Sequence, residues 1–503
     1  MTDIALTHRL TSPFLILLAA STGCAMTVLD ANVVAIILPT IARGFQASFA
    51  EIEWVISTYV LCFASLLLPA GAIADRFGRR RIFLIGIVSF ALSSLICGLA
   101  TSAMMLCLAR ALQGASAAFL LAPALAIIGH TFHVEVARNR AWAVWGAMMG
   151  LTMVLAPVIG GVIAYALGWR WAFGINVPIC ALLVVAVLLF VEESSDTAAR
   201  RLDPAGIVFF SAAMFGLTWG MINGQAHGWI TVNALIGFIV GAMALGIFII
   251  AERFQQRPML DLQLFSNPRF VGAVWAMFAY AAAAQVMASM LPLFFQNGLG
   301  YSALEAGFAM LPFAMAMLLF PQIGRILGNR LPPRAILVIG LILVGIGNAS
   351  TAWGAERGAR LVVMAGMLVL GSGGGILNGE TQKAIMSVVP RDRAGMASGV
   401  STTSRFSGIL LGFTLLSGVL ATLVRSRLVD YGYSVHVQTS SFADAVVAGD
   451  LPHAVAGLTG LTRQLAVEHA RTAFSFGFSG ALLTASVFAF LSAFFVYRLM
   501  RCR

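Results

Sequence analysis

The sequence predicts an all-α polytopic membrane protein of fourteen transmembrane helices, arranged six plus two plus six, with both termini cytoplasmic. Three observations predict it: an apolar composition, a regular series of long apolar runs, and an uneven placement of arginine. Of 503 residues, 60% are hydrophobic and only 10% charged, with a mean hydropathy of +0.93. A water-soluble chain carries roughly 25% charged residues. Lipid-facing positions must themselves be apolar, so a bilayer explains the deficit.

The spans follow from length, since about 20 apolar residues cross a bilayer. They fall at residues 14–38, 52–74, 81–100, 104–129, 141–165 and 171–191, then 204–223 and 232–251, then 270–296, 304–327, 335–353, 361–387, 395–424 and 473–497. The first run could pass for a signal peptide, but it is long enough to span and reads as a retained helix. The net charge of +11 does not point to nucleic acid, because the basic residues sit singly or in short clusters between the runs. With the N-terminus inside, 21 of the 31 basic residues fall on inner segments and 8 on outer ones, leaving Arg110 and Arg405 within helices. That asymmetry sets the orientation.

A repeat joins the two ends. Gly71 to Arg81, GAIADRFGRRR, aligns with Gly324 to Arg334, GRILGNRLPPR, and at the same offset Arg138-Asn139-Arg140-Ala141 aligns with Arg391-Asp392-Arg393-Ala394. Residues 1–195 therefore read as one six-helix bundle and 261–503 as its copy, with 196–260 inserting two helices. Facing halves of this kind are the usual basis of alternating access. The long outer segment 425–472 is of mixed polarity, and a hairpin and a flexible cap both fit it. The loop at Asn329 lacks an acid, so the second copy of the first loop is degenerate.

Several residues carry chemistry. Asp30 lies in the first helix, and a carboxylate at membrane depth is functional by default. A medium that solvates charge poorly favours the neutral acid, which makes reversible protonation feasible. Arg110 in the fourth helix precedes Gln113 and Gly114. Counted along their helices, Asp30 lies about 12 Å and Arg110 about 10 Å below the outer face, so an ion pair is expected. In the loop, Gly71 is read as allowing close helix packing and Gly78 as permitting a tight turn. Asp75 is read as accepting from N–H groups at a neighbouring helix start, with Arg76, Arg79, Arg80 and Arg81 as charged partners or topology anchors. In the fifth helix, Gly146 and Gly150 have the spacing that lets helices approach. Pro157 bends that helix, and Gly160 and Gly161 follow it. Glu380 is either a second titrating group or a vestibule residue, and Arg405 is a second intramembrane cation. Ser48 with Glu51 and Ser302 with Glu305 have capping-box spacing. The cysteines show neither disulfide nor metal spacing, no phosphate-binding loop is present, and no cofactor is expected.

These elements together resemble the fourteen-helix drug:proton antiporters of the major facilitator superfamily, the EmrB/QacA type, over nearly the whole chain. Gly71 to Arg81 is similar to the family's inner loop. Leu29-Asp30-Ala31-Asn32 resembles its Leu-Asp-x-Thr element, with Asn32 where Thr is usual. Arg110 with Gln113 and Gly114 resembles its proton-coupling element. Ala156-Pro157 to Gly161 resembles the element shared by its antiporters, with Ala156 in place of Gly, and Arg405 fits an arginine common in the subfamily. Trp169-Arg170-Trp171, Asn176 and Pro258 are similar to it too. The resemblance implies a non-enzymatic, proton-coupled exporter of lipophilic drugs in a bacterial inner membrane. It would work as a monomer, with a periplasmic adaptor and outer-membrane channel as partners in some relatives. A specific metabolite exporter, a symporter and a membrane sensor are the competing readings.

Overall fold

A computed structural model describes residues 12–132, 134–195, 204–254, 262–328, 330–389, 394–435, 439–449, 451, 455 and 458–501. The expectations at Asn329, at Pro258 and at Arg391 to Arg393 lie outside the described residues, as do segments 196–203 and 255–261 that join the middle helices to the rest.

Among the described residues fourteen helices are long and apolar enough to cross a membrane, and each coincides with one read from the sequence. They are α1 (Pro13–Phe45), α2 (Phe49–Phe77), α3 (Arg79–Gly98), α4 (Ala103–Thr131), α5 (Glu135–Ala166), α6 (Trp171–Phe190), α7 (Pro204–His227), α8 (Val232–Phe254), α9 (Pro268–Gly298), α10 (Ala303–Gly328), α11 (Pro333–Glu356), α12 (Arg360–Val388), α13 (Ala394–Val435) and α14 (Gly460–Leu499). An even number of crossings places Pro13 and Leu499 at one end of the bundle, here the terminal end. Gly272, near the start of α9, accordingly lies against Leu499 and Met500.

Both capping boxes form. The Ser48 and Ser302 backbone N–H groups donate to Glu51 and Glu305 Oε2 at 2.8 and 2.7 Å, and each serine hydroxyl accepts from the N–H of its glutamate. These contacts satisfy donors that a helix start otherwise leaves bare.

Within the first six helices, α4 packs on α1, α2 and α3, while α1 packs on α5 and α6 and α3 on α6. Within the last six, α12 packs on α9, α10 and α11, and α14 on α9, α11 and α13. The α7–α8 pair is tied by glycines: a methyl group on Gly216 would lie 2.6 Å from the Gly241 nitrogen, and one on Gly237 2.5 Å from that of Gly220. Of the two, α7 packs against α2 and α13, one helix from each group of six.

Contacts between the two groups gather toward the end away from the termini, here the far end. Gly161 and Pro157 of α5 meet Ala303 and Gly307 of α10. Gln296 Nε2 of α9 donates to Ile36 O of α1 at 2.7 Å, and Glu53 of α2 meets Ser417 of α13. Nearer mid-depth, Phe63 and Phe406 touch edge to face at 4.5 Å.

Two features go beyond the sequence reading. Helix α9 contains π-helical turns at Ala281–Gln285 and Phe294–Gly298. A π turn misaligns carbonyls, and buried Asn348 of α11 donates to one of them, Ala283 O, at 2.9 Å. Helices α13 and α14 have 42 and 40 residues, about 60 Å each and twice the hydrocarbon thickness. The described parts of 425–472 are thus mostly their continuations, joined by a helix at Thr439–Ala448 that packs on α13, α14 and α2. Asp444 of that helix accepts from Arg425 Nη2 and Nε at 2.7 and 3.0 Å. The described residues of the segment are helical and dock on the bundle.

Candidate functional site

The site forms where polar residues of several apolar helices meet. Asp30 on α1 is buried, and so are Arg110 and Gln113 on α4, Ser94 on α3 and Asn176 on α6. Arg110 Nη1 donates to Asp30 Oδ2 at 2.5 Å. The other carboxylate oxygen accepts from Gln113 Nε2 at 2.9 Å and from Asn176 Nδ2 at 3.1 Å. Both amides also donate to Ser94 Oγ, at 2.7 and 3.2 Å. Arg110 Nη1 further reaches Gln113 Oε1 at 2.7 Å, and its Nε donates to Val55 O at 3.3 Å. Its guanidinium carbon stands 4.1 Å from the Tyr59 ring centroid, a cation–π contact strengthened by the absence of water.

Close backbones make this convergence possible. At Gly114 a methyl group would lie 2.2 Å from Tyr59 O, so only glycine lets α2 and α4 approach there. Gln113, one residue earlier, is one turn of helix from Arg110, and their side chains therefore share a face.

The expected pairing of Asp30 with Arg110 is present, and it is dry: the two side chains are 0% and 2% exposed. Two ionised groups so placed lose their hydration, so charge pairing and full hydrogen bonding must compensate. Among the described residues four hydrogen-bonding groups contact the pair, Gln113 Nε2 and Oε1, Asn176 Nδ2 and Val55 O, and all come from the first six helices. Sequence reading gave no role to Ser94, Asn176 or Tyr59. Ser94 and Asn176 carried a usable signal, each being a polar residue inside an apolar span, whereas Tyr59 carried none.

Glu380 and Arg405 lie elsewhere and join neither Asp30 nor each other in any described ion pair or hydrogen bond. Glu380 Oε2 lies 3.5 Å from Lys383 Nζ, with side-chain exposures of 11% and 54%, and both side chains face Gly328 at the terminal end of α10. Arg405 Nε donates to Gln285 Oε1 at 2.8 Å, the glutamine being carried by the first π turn of α9.

In the loop between α2 and α3, three expectations are tested. Gly78 has φ +111°, and a methyl there would lie 2.7 Å from the Glu193 carboxylate, so glycine is required. Asp75 does not cap a neighbouring helix: Arg79 Nε donates to its Oδ1 at 2.8 Å. Glu193 takes that capping role, accepting from the Arg80 and Arg81 N–H groups at 3.0 and 3.1 Å, because the chain leaving α6 passes directly over the start of α3. Arg80 Nη2 donates to Leu188 O at 2.9 Å, while Arg76 lies 5.4 Å from the Phe77 ring. Gly71 is not needed for close packing, since a methyl there would meet Ala122 at 3.8 Å, an ordinary contact.

The helix-5 glycines divide. Added methyls would lie 2.3 Å from Leu318 at Gly150, 3.2 Å from Val33 at Gly160 and 2.7 Å from Ala303 O at Gly161. Gly146 faces open space, with nothing within 4 Å, so the close approach read from the Gly146–Gly150 spacing is made by Gly150 alone.

A bundle of fourteen apolar helices around a dry, hydrogen-bonded ion pair defines a multi-pass membrane transporter. The sequence pattern of the Major Facilitator Superfamily matches residues 20–413, and the chain belongs to that family. It is 32% identical over 459 residues to Multidrug resistance protein Stp of Mycobacterium tuberculosis, covering 90% of this chain and 85% of the relative. Tetracenomycin C resistance and export protein of Streptomyces glaucescens is 32% identical over 427 residues, covering 83% and 77%. Multidrug efflux pump LfrA of Mycolicibacterium smegmatis is 30% identical over 470 residues, covering 92% of each. Among solved structures, a bacterial homologue of the human lysosomal transporter Spinster, inward-facing and occupied, superposes with a TM-score of 0.65. Its identity is 16%, and 97% of this chain and 96% of that one are covered. At this identity the likeness speaks for the fold.

Proposed function

We propose that this protein is a proton-coupled secondary transporter that exports lipophilic drugs or toxic small molecules by alternating access. The observation that carries the reading is the Asp30–Arg110 pair, dry, at membrane depth, and linked to α3 and α6 through Gln113, Asn176 and Ser94. Protonation of Asp30 removes its charge and releases Arg110 to its remaining acceptors, Gln113 Oε1 and Val55 O. Proton occupancy thereby changes which helices are bonded to one another, which is the physical requirement for coupling. The kinship with efflux proteins supports export of drugs as the direction and cargo.

In this reading residues 1–195 and 261–503 are two halves that rock about the cavity between them, and α7–α8 from 196–260 ride on their seam. The terminal end is cytoplasmic. Contacts between the halves gather at the far end, which supports a conformation closed outward and open inward. The loop of Gly71, Asp75, Arg76, Gly78, Arg79 and Arg80 acts as a cytoplasmic latch, here folded on its own half. Glu380 and Arg405 are groups of the second half that line the route of substrate and protons. The protein works as a monomer, and in an organism with two membranes a periplasmic adaptor and outer-membrane channel carry the cargo onward.

The test has two parts. In a pump-deficient host, expression should raise the growth-inhibitory concentration of dyes, quaternary amines or hydrophobic antibiotics. In inverted vesicles holding a proton gradient, adding such a compound should drive proton release. A compound that is exported without proton movement would refute coupling, and raised cellular accumulation would refute export.

A further inference from the structure

Glu53 is a buried carboxyl group on α2 that forms no ion pair among the described residues. It is 1% exposed, and its partner is Ser417 of α13, 0% exposed, with Glu53 Oε1 and Ser417 Oγ 2.5 Å apart. The contact therefore joins one group of six helices to the other near the far end, and α7 packs over both helices beside it, with Trp54 against Phe215 and Trp219. Glu53 Oε2 is buried and accepts no hydrogen bond from the described residues.

Counting hydrogens fixes the state of this group. Ser417 Oγ also lies 3.1 Å from Thr414 O on its own helix, yet a serine hydroxyl has one hydrogen. Both contacts are satisfied when Glu53 is the neutral acid, donating to Ser417 Oγ while Ser417 donates to Thr414 O. Oε2 lacks a donor among the described residues in either state, but an ionised Glu53 would leave it bare while charged and would compete with Thr414 for that hydrogen. Burying an unpaired carboxylate is far costlier than burying the acid.

The charged and titratable groups on the elements packed against α2 are committed to other partners or stand at other depths. On α4, Arg110 is held by Asp30, Gln113 and Val55 O, and Cys107 Sγ donates to Glu51 O. On α1, Asp30 is within that cluster, and Arg43 donates to Thr40. On α13, Arg405 binds Gln285, Arg425 binds Asp444 of the Thr439–Ala448 helix, and Arg427 lies 4.6 Å from the Phe476 ring. On α7, His227 is exposed at the helix end. Arg79, Arg80 and Arg81 of α3 stand at the opposite end of the bundle.

We propose that Glu53 is a second protonatable group of the transport cycle, taking its proton from water at the far face as the α2–α13 seam closes and returning it there as the seam parts. The proposal rests on the alternating-access reading above but not on Asp30. While the seam is closed, Glu53 is an acid bonded across it. Loss of the proton leaves a charge that only water can solvate, so the ionised form favours the seam open. Alkaline conditions at the far face then favour opening, and acid there favours closure.

The experiment uses the full-length protein in lipid nanodiscs, with spin labels on unnatural amino acids at exposed Thr101 and Thr472, so that the native cysteines are kept. Pulsed electron–electron resonance reads the distance across the far end in mildly acidic and mildly alkaline buffer. The wild type should gain a long-distance population on raising pH. Glu53→Gln, which keeps the neutral hydrogen-bonding shape, should lose that gain and stay closed, while Asp30→Asn should retain it. A pH response preserved in Glu53→Gln, or none in the wild type, overturns the proposal. So does a response abolished by Asp30→Asn alone. Should Glu53→Gln fail to fold, Ser417→Ala carries the test: without its cross-seam partner, closure should require more acid, and an unmoved midpoint overturns the proposal. Failure of Asp30→Asn to exchange protons for drug is a separate readout and bears only on the coupling site.

Discussion

The Asp30–Arg110 pair permits a cycle of substitutions that separates coupling from structure. Asp30→Asn keeps the shape of the side chain but replaces one acceptor oxygen with a donor, and it leaves the Arg110 guanidinium buried without a counter-charge. Removing one member of a buried pair costs about 3–5 kcal/mol, whereas removing both is often near neutral. Arg110→Gln alone should likewise be costly, since it strands a carboxylate that is 0% exposed. The double substitution Asp30→Asn/Arg110→Gln should recover most of that loss, giving a coupling energy of about 3 kcal/mol in thermal unfolding of detergent-solubilised protein. Drug-driven proton release, read with a pH dye inside proteoliposomes, should be absent in all three variants. A double variant that recovers proton exchange along with stability would refute the argument, because the pair would then be structural alone.

Other substitutions test the surroundings. Gly114→Val, placed against Tyr59 O at 2.2 Å, should force α2 and α4 apart, costing about 1–3 kcal/mol or more, visible as a lower unfolding temperature and reduced transport. Glu193→Gln should weaken the capping of α3 by about 1 kcal/mol, with export largely retained. Asp75→Asn, which breaks only the partly buried i,i+4 pair with Arg79, should cost about 1 kcal/mol of stability or less yet lower the export rate at normal protein level if the loop serves as a latch. Unchanged export would remove that role.

The fold was legible because each crossing needs about 20 apolar residues, and the chain supplies that signal fourteen times. The helical extensions of α13 and α14 were not, because 425–472 carries neither an apolar run nor a strong period. The π turns of α9 were equally hidden: Ala281 to Ala284 reads as ordinary helix, and its alanines carry no signal of the close approach of α13, where a methyl on Gly412 would lie 2.6 Å from Ala282 Cα. At the site, Asp30, Arg110 and Gln113 stood out as polar residues within apolar runs. Glu53 did not, because it follows the Ser48–Glu51 capping box and merges with a polar helix start. Two residues along a helix turn the side chain by about 200°, so Glu51 faces solvent while Glu53 faces the seam. Asp75, read as accepting from a neighbouring helix start, instead accepts from Arg79 of the next helix, while the cap of α3 is Glu193, brought by the fold from over 100 residues away.

The two carboxyl sites stand in different mechanical relations to the halves. Among the described residues every side chain that bonds Asp30 belongs to α4 or α6, so motion of the second half reaches Asp30 through α1 itself or through α2, whose Val55 O accepts from Arg110. A hydrogen-bonded link to α1 is Gln296 of α9, bonded to Ile36 O six residues beyond Asp30, about 9 Å along the helix axis. Glu53, in contrast, spans the seam with its own hydrogen bond. A proton on Asp30 alters bonding within one half, while a proton on Glu53 alters bonding between halves. Replacing Gln296 by Ala therefore separates them: it removes the α9–α1 tie without touching either carboxyl. Its expected effect is a weaker dependence of far-end opening on Asp30 substitutions, with the pH response of the α2–α13 seam intact. If loss of Gln296 abolished the seam's pH response as well, the two sites would act through one path, and the division between them would fail.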